Sequence, residues 1–239
     1  MAAMTRHGYT AAQVRRAEEP LLAAGMPLMR RAAAGLAAEI RATLASRPIR
    51  GGDDTVRILM LVGSGNNGGD ALFAAAELAA SGIAVTAVAT ADGVHAEALE
   101  AATSAGVGMR RGVSADEIAG LSSTSDVIVD GILGTGSGAA DKAALRGRAR
   151  DLVVALLPPL EAPDRPAIVA VDLPSGVSPD DGAVPDSAVL PADVTVTFGA
   201  IKAGLLLPPG SRYAGRVVVV DIGLAPKLEG VVPAITVDA

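Results

Sequence analysis

The chain has 239 residues, half of them hydrophobic but only 2% aromatic, with 20 Lys and Arg against 26 Asp and Glu. That length holds a substantial core, and a net charge of −6 with no Trp, two Tyr and two Phe lacks the basic patches and stacking rings of a nucleic-acid binder. The absence of Cys excludes disulfides, thiolate nucleophiles and Cys-ligated zinc.

No apolar run reaches the roughly 18 residues of a membrane span, and Met1 to Thr10 lacks the apolar core of a signal peptide. The expectation is a cytoplasmic protein with no nucleic-acid or membrane partner. In chain order, residues 10–46 read as helical, with Thr10 as N-cap, Gln13 as its capping-box partner, and a break at Gly25-Met26-Pro27. Residues 56–62 are a nearly continuous apolar run, the pattern of a strand buried on both faces. Residues 63–70 read as a Gly-rich turn and 71–81 as an Ala-rich helix. Strands are expected at 83–89, 106–111, 126–132, 167–173, 193–198 and 216–221, with helices at 94–105, 114–121 and 141–157. Residues 224–239 read as a short tail. Strands alternating with helices predict an α/β fold with a mostly parallel sheet, in one domain spanning 1–239.

In such sheets ligands bind outside the carboxyl ends of the strands. Three strand ends here carry unusual polar groups. The first, Gly63-Ser64-Gly65-Asn66-Asn67-Gly68-Gly69-Asp70, fits the dinucleotide fingerprint at Gly63, Gly65 and Gly68, with Asp92 near the place of a ribose-binding acid. An NAD-dependent oxidoreductase is therefore a competing reading. Two amide side chains in the turn, and a carboxylate at the helix start that would compete with phosphate, count against it. The second, Asp130 to Gly138, closes a strand with a carboxylate and continues into a Gly turn able to form an anion nest. The third, Asp172-Leu173-Pro174-Ser175-Gly176, is not a nucleophile elbow, because Leu173 takes the first Gly position and no His lies nearby. Asn67, Asp130 and Ser175 together offer only hard oxygen ligands, suited to an alkali or alkaline-earth cation. His7 and His95 read as surface residues. Lys202 reads either as a phosphate partner or as a solvated loop residue.

The runs GNNGGD (65–70), DGILGTG (130–136), DLPSG (172–176), TVTFGAIKAGLLLPPG (195–210) and DIG (221–223) closely resemble, in order, the NAD(P)H-hydrate epimerase family, the YjeF N-terminal domain. The resemblance extends over roughly residues 9–224. It implies a Rossmann-like three-layer αβα sandwich, a homodimer, one potassium ion per subunit, and the substrates NADHX and NADPHX. These are reduced cofactors hydrated at C6 of the nicotinamide ring, whose R and S epimers the family interconverts. The partner it implies is an ADP- or ATP-dependent dehydratase that accepts only the S epimer.

Position by position, the resemblance places potassium on Asn67, Asp130 and Ser175. It places substrate on Asn66, Asn67, Gly68, Gly69 and Asp70, on Gly134, Thr135, Gly136, Ser137, Gly138, Ala139 and Ala140, and on Asp172 and Lys202. Asp172 is the candidate general acid/base, on the expectation that burial raises its pKa, and Asp70 is the second catalytic candidate. The sequence departs from the family pattern at Ala71, where Gly is usual, at Ala75 to Glu77, which supply no Arg, and at Glu18 or Glu19, which stand for an Asp of the first helix. No room for the dehydratase domain of fused relatives follows Asp221. A non-catalytic binding module, and the separated half of a bifunctional enzyme, are the other readings carried forward.

Overall fold

The computed structural model describes residues 5–50, 55–137 and 143–238. Seven strands form one sheet: β2 (Arg57–Val62), β3 (Ala84–Ala89), β4 (Gly108–Arg110), β5 (Val127–Gly131), β6 (Ala167–Val171), β7 (Val194–Phe198) and β9 (Arg216–Val220). Their order is β4-β3-β2-β5-β6-β7-β9, and every pairing is parallel. The helices are α1 (Ala11–Ala23), α2 (Leu28–Ala45), α3 (Asn66–Ala80), α4 (Ala96–Ser104), α5 (Ala115–Ser123), α6 (Gly147–Leu156) and the one-turn α7 (Ala225–Leu228).

The apolar runs explain the layering. Along β2, Ile58, Met60 and Val62 face one core with the buried sides of α1 to α4, while Leu59 and Leu61 face another with α5 and α6. β5 and β6 alternate in the same way, so both faces of the sheet are covered and the strands read as continuous hydrophobic stretches. This is the expected αβα sandwich.

The sheet order turns between β2 and β5, where an α/β fold opens its crevice. Two glycines allow the close approach there. A Cβ on Gly63 would lie 1.9 Å from the carbonyl oxygen of Ile132, and one on Gly68 would lie 2.1 Å from that of Gly63. This packing pulls the helix start forward: α3 begins at Asn66, so Asn66 to Asp70 are its first residues rather than the predicted turn. Gly65, by contrast, faces open space.

Three further expectations are corrected. The residues read as a tail include α7 and β10 (Ile235–Asp238). β10 pairs antiparallel with β1 (Thr5–Tyr9), which pairs in parallel with β8 (Ile201–Lys202) in a second, three-stranded sheet. His7 is exposed as expected, but His95 caps α4 by accepting from the Ala98 amide and packs edge-on against Phe73. The helix predicted over 141–157 is described only from Gly147.

The predicted start of α1 is observed, with Thr10 and Gln13 forming the reciprocal capping box. Gly68→Ala forces backbone apart and is expected to lower the melting temperature by about 6 °C or more. Gly65→Ala, at the helix N-cap, is expected to cost no more than about 3 °C. Thermal unfolding followed by circular dichroism checks both.

Candidate active site

A cavity of about 670 Å³ opens where the carboxyl ends of the strands meet α1, with Glu18, Asn67, Asp70, Asp172 and Lys202 in its lining. Asp172 directly follows β6 and has φ +65°, the one positive φ of a non-glycine residue among the described residues. Such a conformation costs on the order of 1–3 kcal/mol and persists only where its surroundings impose it. Here the Asp172 amide donates to Val196 O at 2.8 Å, and its Oδ1 accepts from Thr197 Oγ1 at 3.1 Å, the Phe198 amide at 3.3 Å and Lys202 Nζ at 2.5 Å. Oδ2 takes no hydrogen bond from a described residue. The carboxylate is thus pinned by one oxygen and free at the other.

Lys202 is 2% exposed, which overturns its reading as a solvated loop residue. Its three protons go to Asp172 Oδ1, Thr197 Oγ1 and Phe198 O, at 2.5, 3.2 and 2.9 Å. The ammonium is therefore saturated by the protein and serves first as the countercharge of Asp172.

Asp70, on α3, lines the same cavity and is buried without a hydrogen bond or ion pair to any described residue. Burial, reinforced by the negative charge of Asp172, pushes its pKa well above the ordinary carboxylate range. Glu18, on α1, is half-buried, and burial raises its pKa against the attraction of Lys202. Burial thus favours the protonated form of Asp70.

Asp130, Ser175 and Asn67 converge on one turn beside this cavity. Asp130 is fully buried; its Oδ2 accepts from the Ser175 amide at 2.8 Å and its Oδ1 from Ser175 Oγ at 2.6 Å. Ser175 Oγ accepts from the Leu133 amide at 2.8 Å, and Asn67 Nδ2 donates to Leu133 O at 2.9 Å. Asn67 Oδ1 sits 2.9 Å from where a Cβ on Gly134 would be, so a side chain there would displace the Asn67 amide. Burial raises the pKa of Asp130, and no Lys or Arg pairs with it among the described residues. A buried carboxylate without a basic partner, ringed by amide, hydroxyl and carbonyl oxygens, is a donor set that fits a hard monovalent cation.

The structure therefore brings Asn67, Asp70, Asp172 and Lys202 to one cavity and places Asp130 and Ser175 behind its rim. Asn66, Thr135, Gly134 and Gly136 also line it; Gly68 and Gly69 lie inside α3, and Ser137 ends a short 3-10 turn begun by Thr135. Gly138, Ala139 and Ala140 lie outside the described residues. Asp92, the candidate ribose acid, is exposed and not part of the cavity.

Sequence reasoning gave no role to Arg15 and Glu18. Their spacing held the signal: Arg15, Glu18 and Leu22 share one helical face, beside the buried stripe of Ala11, Val14 and Ala17. Arg15 donates to Thr135 O at 3.1 Å and links α1 to the turn after β5.

The family described as YjeF-related protein N-terminus matches residues 25–204. A protein of Clavibacter michiganensis subsp. michiganensis named "NAD(P)H-hydrate epimerase" is 52% identical, over 98% of this chain and 96% of its own. One of Mycobacterium tuberculosis named "Bifunctional NAD(P)H-hydrate repair enzyme Nnr" is 42% identical over 92% of this chain but only 42% of its own length. A yeast crystal structure covers 89% of this chain and 86% of its own with a TM-score of 0.67 at 20% identity, a likeness of fold alone. With the seven-stranded parallel sheet, the strand-end site and a family match across three quarters of its length, this chain belongs to the YjeF-related protein N-terminus family.

Proposed function

We propose that this protein is an isomerase that interconverts the R and S epimers of hydrated NADH and NADPH at C6 of the nicotinamide ring, working as one epimerase domain. The names of its relatives support that reaction. The observation that carries it is the half-pinned carboxylate of Asp172, facing the same cavity as Asp70, whose pKa burial raises.

The chemistry at C6 needs those two functions. C6 bears a hydroxyl and the ring nitrogen. Protonation of the hydroxyl lets the nitrogen lone pair expel water and leaves an iminium cation; water then adds to the other face and loses a proton. Asp172 is the acid/base at C6, its free Oδ2 facing the cavity, and its charge stabilises the cation. Asp70 supplies a second proton close by. Lys202 keeps Asp172 in one orientation and balances its charge, so the carboxylate neither turns away nor collapses onto Asp70. Asn66 to Asp70 and Gly134 through Ala140 hold the rest of the dinucleotide.

Potassium fits the oxygen set of Asn67, Asp130 and Ser175, one ion per subunit, where it would balance the buried Asp130 charge and tie three strand-end turns together. The protein acts in the cytoplasm as a homodimer, upstream of an ADP- or ATP-dependent dehydratase that consumes the S epimer.

Three outcomes follow. Asp172→Asn is expected to slow epimerisation of (R)-NADPHX by about 10²–10⁴-fold, read by chromatography against the spontaneous rate; turnover equal to wild type removes the assignment. Replacing potassium by lithium is expected to lower the rate without shifting the melting temperature by more than about 2 °C. Asp70→Asn is expected to stabilise the protein. Because the folded-state pKa is raised, wild type loses stability as pH climbs from the unfolded value toward the folded one. The variant escapes that loss, so its melting temperature should exceed wild type by about 2 °C or more at pH 8, with the gap closing toward pH 4.

A further inference from the structure

Inversion at C6 sets a requirement that Asp172 and Asp70 do not meet alone: hydroxyl leaves from one ring face and water arrives at the other, so protons must be handled on both. Asp172, Lys202 and Asp70 all belong to the strand-end side of the cavity, at the end of β6, on β8 and on the first turns of α3. The other side is α1, which contributes Arg15 and Glu18. Ala11 and Val14, two turns and one turn before Glu18 on the same face of that helix, are buried, so packing holds this stretch of α1 in place at the cavity wall. Arg15 fixes the same helix to the turn at Thr135. Glu18 itself is half-buried, yet it has no hydrogen bond or ion pair to any described residue.

We propose, on the epimerase reading above, that Glu18 is a catalytic residue, the acid/base for the ring face turned toward α1. On the strand-end face a proton passes to the C6 hydroxyl, the C6–O bond breaks, and water leaves with the bonding pair. The nitrogen lone pair closes the iminium. On the α1 face a water oxygen bonds to C6, the iminium pair returns to nitrogen, and the water proton goes to Glu18. The reverse epimerisation exchanges the two roles. Asp70, Asp172, Lys202 and Arg15 are the charged groups acting on Glu18. Burial raises its pKa, the direction a group must move to take and return protons near neutrality. The exposed Glu100 on α4, outside the cavity lining, serves as the control.

The test uses the full chain in potassium buffer with (R)-NADHX in ¹⁸O-water. Two rates are followed together: inversion, by separating the epimers, and ¹⁸O entry at C6 of the uninverted epimer, by mass spectrometry. Glu18→Gln is expected to lose inversion about 10²–10⁴-fold while ¹⁸O entry stays within about tenfold of wild type, because the strand-end face still expels and readmits water. Glu18→Asp is expected to recover part of the inversion, and Glu100→Gln to match wild type. Retained ¹⁸O entry also reports a folded site. Inversion within about threefold of wild type in Glu18→Gln overturns the proposal. So does loss of both rates together in a variant that melts like wild type. Should Gln at this position lower the melting temperature, Glu18→Asp decides: retention of full inversion by the shorter acid, or loss of both rates, counts against Glu18. If wild type accelerates neither rate, the epimerase reading itself fails, an outcome distinct from any Glu18 result.

Discussion

Lys202 and Asp172 could not be buried singly. An ammonium or a carboxylate taken out of water alone costs several kcal/mol, and a pair is tolerated only when the remaining donors and acceptors are satisfied. Thr197 and the backbone of Phe198 satisfy them at the end of β7, and the amide of Asp172 is held by Val196 on the same strand. β7 therefore sets the position of both charges. The strained backbone of Asp172 is tolerated because four hydrogen bonds converge on it. With that pair in place, burial is the largest influence on the proton affinities of the other cavity carboxyls, Asp70 and Glu18, and the two charges of the pair act on them in opposite directions.

Asp130 presents the opposite case. It is equally buried, yet its partners are a hydroxyl and two amides rather than a cation. One chain thus keeps two buried carboxylates a few residues from parallel strand ends and compensates only one with its own lysine. The other is held only by neutral donors from the turns after β5 and β6.

The alternation of apolar runs was legible because a parallel sheet covered on both faces requires continuous hydrophobic strands, and 58–62 and 167–171 have nothing else. The three polar strand ends were legible for the same reason: each interrupts such a run where a crevice opens. Other features were hidden. Nothing local marks Lys202 as buried, since the group that neutralises it lies 30 residues away. Asn66 to Asp70 reads as a turn by propensity; backbone contact between Gly68 and Gly63 makes it helix. β1 and β10 are short, polar and only partly buried, so neither carries a strand's periodic signal. Glu18 was visible only as an unusual acid on a helix whose cavity-facing side depends on the tertiary fold.

The small sheet has a consequence for the order in which the molecule assembles. β8, the strand of Lys202, pairs with β1 through Gly8↔Ile201, and β1 pairs with β10 through Thr5↔Asp238. Those contacts span nearly the whole chain, whereas β2, β3 and β5 join through neighbours in sequence. Closing a long loop costs entropy that short-range pairing does not. The large sheet thus has the entropic advantage of forming first, and the clasp over Lys202 closes last. Until both chain ends dock, a nearly native molecule carries its strand ends and its glycine turns but not the final setting of its charge pair, so competence for chemistry arrives as one of the latest events of folding.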